Sequence, residues 1–220
     1  MLTKRSAETT LGFWSATLAT VFSLSYVIGQ IAEWLGWLGS KGGPESSSTP
    51  LGIAILLTPS LFLAPAFVVL LVCVHQVTPP AKRVWSLAAL AFGIAYLVLI
   101  SMNYYVQLTL VGPRLARGET AGIESFLFVP FNSFLYAVDI LGYSLMSIAT
   151  LFLVPVFHER ALRTLLLGNG LLLPFLALQM YYHPLIWIAS LWAVTFPAAT
   201  WLLALRFTRV QALPPTAVAA

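Results

Sequence analysis

Charge is what this sequence has least of. Only 8% of its 220 residues are Asp, Glu, Lys or Arg, where a soluble domain carries about 25%. A water-soluble fold of this composition would expose large adhesive patches, so that class is excluded. Cysteine is nearly absent as well. Cys73 stands alone, which excludes an intrachain disulfide and a thiolate metal cluster. Within Val-Leu-Leu-Val-Cys-Val it reads as a small hydrophobe. The sequence has no H-E-x-x-H, no G-x-S-x-G and no phosphate-cradling glycine pattern. His75, His158 and His183 are scattered, and His158 and Glu159 have no partner at ligand spacing. No lysine lies inside an apolar run, which removes Schiff-base chemistry. These absences leave no catalytic residue, metal or cofactor to name, and they favour a non-enzyme over an enzyme.

Apolar runs fill almost everything else. Hydrophobic residues make up 60% of the chain, and six segments, 11–35, 51–77, 84–112, 130–157, 162–182 and 185–207, are each long enough to cross a bilayer. A hydrocarbon core about 30 Å thick needs about 20 apolar helical residues. The expected fold is therefore all-α, a polytopic bundle of six transmembrane helices forming one membrane-embedded domain over 1–220. Its partner is the lipid bilayer. The tail, 208–220, with Pro214 and Pro215, is expected to be disordered.

The net charge of +4 does not point to nucleic acid, because the basic residues sit at segment ends. Lys4 with Arg5, Lys82 with Arg83, Arg160 with Arg163, and Arg206 with Arg209 fall on one side of a six-span topology. The positive-inside rule makes that side cytoplasmic and places both termini there. Trp34, Trp37, Tyr181, Tyr182 and Trp187 fall near the outer boundary, and Trp14 and Trp85 near the inner one. That is an interfacial belt. The connection from Arg114 to Val129 mixes Ile123, Phe126 and Phe128 with charges, and is expected to cover the outer face.

The polar residues inside the spans carry the functional reading. Asn132, Tyr136, Asp139, Tyr143 and Ser147 stack along one stripe of the fourth segment at helical spacing. The third segment aligns Tyr96, Asn103 and Gln107. The first aligns Ser23, Tyr26, Gln30 and Glu33, and the fifth offers Gln179. By the direction of each segment, most of these fall in the outer half of the bilayer. An intramembrane carboxylate costs several kcal/mol facing lipid, so Asp139 should face the interior. His183, in the outer hairpin, is close in depth to Glu33 and could pair with it.

The stretch YAVDILGYSLMSIATLFLVPVF from Tyr136 to Phe157, with Tyr104-Tyr105-Val106-Gln107 and Asn169-Gly170-Leu171, resembles small uncharacterised bacterial multi-span proteins. The resemblance implies a bacterial inner-membrane protein. It implies no reaction and transfers no site residue.

The leading expectation is an outward-facing polar pocket used in small-molecule or proton-coupled transport or sensing. Asp139 would be the ionisable group, with Tyr136, Tyr143, Asn132, Asn103, Gln107, Gln30 and Glu33 as ligand-binding candidates. The first alternative is a structural or accessory subunit whose polar stripes only join helices. The second is a lipid-modifying enzyme holding phosphate with Arg114 and Arg117.

Overall fold

The computed structural model describes residues 7–129 and 131–212. Lys4, Arg5 and the end of the tail, 213–220, lie outside the described residues. The described residues are helical with no strand, and six helices among them are long and apolar enough to span a membrane. These run Ala7–Trp34, Pro50–Val77, Pro80–Ala116, Phe134–Leu153, Arg160–Leu178 and His183–Arg209. The chain is an integral, multi-pass membrane protein.

The first two spans are single helices, α1 (Ala7–Trp34) and α2 (Pro50–Val77). Thr49 caps α2: its side chain accepts the Gly52 amide at 2.9 Å, and Pro50 follows at the first helical position, where its missing N–H costs nothing. Pro59 and Pro65 lie inside α2 without ending it; neighbouring helices sustain such positions in membrane proteins. The third span is α3 (Arg83–Val106), a π-helical turn over Gln107–Val111, and the short α4 (Gly112–Ala116). The fourth is α5 (Phe134–Leu153). The fifth divides into α6 (Arg160–Gly170) and α7 (Leu173–Leu178), and the sixth into α8 (Ile186–Ala189) and α9 (Trp192–Ala212).

The C-terminal reading needs correction at one point. Residues 208–212, expected in the disordered tail, continue α9. Leu202 to Leu205 are followed by Phe207, which packs in the core beside Gly12 of α1, and this contact carries the helix onward.

The spans close into a ring. Helix α1 packs on α2, α2 on α3, α3 on α5, α5 on α6 and α7, α6 on α9, and α9 back on α1. Each span thus contacts the next in sequence, and the sixth returns to the first. Close approach at α3–α5 depends on Gly142, where an added Cβ would fall 2.7 Å from Ile100 Cδ1.

Aromatic side chains fill the centre. Phe67, Tyr96, Tyr143, Trp192 and Phe196 form a closed cycle of ring contacts, with centroids 6.1, 5.9, 5.5, 5.4 and 5.3 Å apart in turn. They come from α2, α3, α5 and α9. Such pairs add about 0.5–1.5 kcal/mol each beyond area burial, so the cycle is a firm layer across the middle of the ring. At the periphery, Trp14, Trp34, Trp85 and Trp187 are exposed, as membrane-interface anchors are.

Candidate functional site

Asp139 lies one and a half turns into α5, only 7% exposed. Asn103 of α3 faces it. The Asn103 amide donates to the Leu135 carbonyl at 3.0 Å and to Asp139 Oδ1 at 3.5 Å. The Tyr104 hydroxyl, next along α3, pairs with the Tyr143 hydroxyl at 3.0 Å. Tyr136 lies one turn before Asp139 on α5 and Tyr143 one turn after it. Three tyrosines from two spans therefore stand in the neighbourhood of one buried carboxyl. Phenols can donate to a carboxylate or accept from a carboxylic acid, so the surround accommodates both protonation states.

The group is closed at both ends. Toward the α5 C-terminus the aromatic layer begins one turn away, at Tyr143. Toward the α5 N-terminus lies the connection after α4. Ile123 is fully buried, and Phe126 and Phe128 pack against the core. Phe128 meets Tyr104 at 6.3 Å and Tyr136 at 6.2 Å between ring centroids. Gln107, in the π-helical turn, donates its side-chain amide to the Phe126 carbonyl. Local π geometry often marks functional positions; here it aims an amide at the covering segment. Cavities of about 240 Å³ beside Arg160 and Arg163 and of about 620 Å³ between α1 and α9 lie elsewhere. Around Asp139 the side chains are buried beneath the covering segment.

Several polar atoms in this region have no hydrogen-bond partner. They are Asn103 Oδ1, Gln107 Oε1, Tyr96 Oη, Ser147 Oγ and Trp192 Nε1. Buried polar groups are normally satisfied, and each exception costs about 1–3 kcal/mol. Ser147 stands two turns beyond Asp139 on the same face of α5. Past it, Thr150 donates to the Ser147 carbonyl, the Asn169 amide donates to Thr150 Oγ1 at 3.1 Å, and Thr195 donates to Asn169 Oδ1 at 3.1 Å.

The remaining candidates are placed differently. Tyr136 donates to Gln179 Oε1 at 3.1 Å and joins α5 to the end of α7. Gln30 is exposed and reaches the cluster only through Tyr26, to whose hydroxyl it donates at 2.6 Å. Asn132 is exposed and precedes α5, which starts at Phe134 because Ser133 caps it by accepting the Tyr136 amide at 3.1 Å. Glu33 accepts a hydrogen bond from Ser40 and sits against the first turn of α2, where an added Cβ on Gly52 would come 3.2 Å from Oε2. Negative charge is stabilised at a helix start, so this carboxylate has a structural place. His183 does not pair with it; its ring stacks on Phe131 at 4.6 Å. Arg114 and Arg117 both turn onto Glu119, at 3.4 and 2.8 Å. The Arg117 hydrogen bond holds the Glu119 carboxyl below its ordinary range.

Tyr104 and Trp192 are central here and were not among the sequence candidates. Tyr104 was legible: Tyr96, Asn103, Tyr104 and Gln107 follow the i, i+7, i+8, i+11 pattern of one helix face. Trp192 was not, since tryptophans near a span's outer end ordinarily read as interface anchors.

Among the described residues no group of His, Cys, Asp and Glu could hold a metal ion. Comparison with protein-family models, curated proteins and solved structures returns no match.

Proposed function

We propose that this chain is a bacterial inner-membrane protein, with cytoplasmic N- and C-termini, in which Asp139 is a protonatable site serving small-molecule transport or sensing. The observation that carries the reading is one buried carboxyl, bonded by Asn103 and flanked along α5 by Tyr136 and Tyr143, between an aromatic layer and a loop plug. Low dielectric penalises the charged form of a carboxyl. An intramembrane carboxyl is accordingly a proton-exchange candidate by default. The plug is built from a connection rather than a span, so it can move without dismantling the ring. Ligand binding at Asp139 would require that movement. Gln107 and Tyr136 would couple it to α3 and α5.

A structural or accessory role is the second reading. It is favoured by the Asn103–Leu135 and Tyr136–Gln179 hydrogen bonds, each of which ties one span to another. The lipid-enzyme reading draws no support, because its two arginines are engaged by Glu119.

A hydrophobic carbodiimide separates the two readings without a known substrate, since it modifies protonated carboxyls in apolar surroundings. The protein in lipid vesicles should gain the adduct at Asp139, less so as pH rises, and Asp139→Asn should gain none there. Absence of modification at every pH, with Asp139→Asn as stable as the wild type, would leave Asp139 as a helix-joining residue.

A further inference from the structure

The basic end of the bundle has a groove away from Asp139. It measures about 240 Å³ and is lined by Val154, Arg160, Arg163, Thr164 and Leu167. Arg160 and Arg163 stand one turn apart at the start of α6, on one side of that helix. Both are exposed, and neither side chain has a hydrogen-bond or ion-pair partner among the described residues. Their neighbours do. Arg206 is paired with Glu159 and lies over the Phe157 ring. Lys82 donates to the Val156 carbonyl at 3.2 Å and contacts His158. Arg83 reaches the Thr78 carbonyl.

The groove has two chemistries in the order a membrane presents them. The guanidinium groups and Thr164 lie at the helix end, at headgroup level. Leu167 lies two turns past Arg160 and about one turn past Arg163 and Thr164 along α6, and a turn rises about 5.4 Å, so the wall passes from charge into hydrocarbon. This end also carries a surplus of positive charge: Lys82, Arg83, Arg160, Arg163, Arg206 and Arg209 against Glu8 and Glu159. Guanidinium forks match phosphate oxygens, often with two hydrogen bonds. Basic pockets between membrane helices suit anionic headgroups.

We infer that the α5–α6 groove is a binding site for one anionic phospholipid, its phosphodiester held by Arg160, Arg163 and Thr164 and an acyl chain lying along Val154 and Leu167. A free phosphate would satisfy the arginines and leave the apolar wall bare, which is why the lipid is the occupant assigned. The site is independent of Asp139.

Native mass spectrometry of the purified full chain, released from mixed phosphatidylglycerol and phosphatidylcholine, tests this. The wild type should retain one phosphatidylglycerol per chain in preference to phosphatidylcholine. The Arg160→Gln/Arg163→Gln variant should retain about thirtyfold less, given the contribution expected of each of the two basic residues at a membrane surface. Arg83→Gln/Arg209→Gln removes the same charge from the same end and should retain it as the wild type does. Equal loss in both variants would mean diffuse attraction to the leaflet and overturn the site. Thermal stabilisation of the wild type by inorganic phosphate as large as that by phosphatidylglycerol would overturn the lipid assignment.

Discussion

By the proposed topology the bundle has an outer and an inner half, and both contain buried polar residues that they use differently. In the inner half many of the groups are short hydroxyls that bond to their own helix. Ser15 donates to the Gly12 carbonyl, Thr20 to Ala16 and Thr200 to Phe196. Bonds between spans there run through such short groups: Thr20 to Thr200 at 2.8 Å, and Thr195 to Asn169 to Thr150 at 3.1 Å each. In the outer half the groups are a carboxyl, amides and phenols with long reach. They bond between helices and to the plug, and some atoms stay unpartnered. A hydroxyl that donates to its own backbone has spent its one proton and can offer a ligand only lone pairs. The difference teaches that a polar residue in a span marks a site by its unspent hydrogen-bonding capacity, and its presence alone says little.

The comparison breaks most readily at the plug. Ile123→Ala removes a fully buried side chain from the covering segment, and should cost about 2–3 kcal/mol. Thermal unfolding in detergent would register the loss, and amide exchange over 118–129 should accelerate while α5 stays protected. Unchanged exchange would mean that the segment is held by something other than its apolar contacts with α3 and α5.

A much smaller effect is expected in the inner half. Thr20→Val removes the cross-helix hydroxyl at nearly constant volume, and hydrogen bonds between membrane helices average about 0.6 kcal/mol. A loss several times larger, measured in the same detergent, would place an energetic centre in the inner half and erase the contrast.

The spans were legible because a run of apolar residues has only one use at this length. The faces were legible in part. Asp139, Tyr143 and Ser147 were correctly aligned, since α5 has a polar stripe against an otherwise apolar surface. Asn132 was extrapolated along that stripe beyond the helix start, which Ser133 fixes, and Phe131 ahead of it has φ 58°. Gln30 and Glu33 were grouped with Asp139 by depth, and depth does not say which neighbour a side chain meets. Polar groups such as Asn169 and the short hydroxyls do not stand out in the sequence, because they are quiet in hydropathy. The aromatic layer was invisible: its members come from four helices, and only the closed ring of spans brings them together.

The central claim is that Asp139 exchanges a proton inside the membrane, and infrared difference spectroscopy across a pH titration addresses it directly. The wild type should show a protonated-carboxyl band that changes with pH and disappears in Asp139→Asn, with the variant still folded. A spectrum with no titrating buried carboxyl, or one that Asp139→Asn leaves unaltered, would contradict the account.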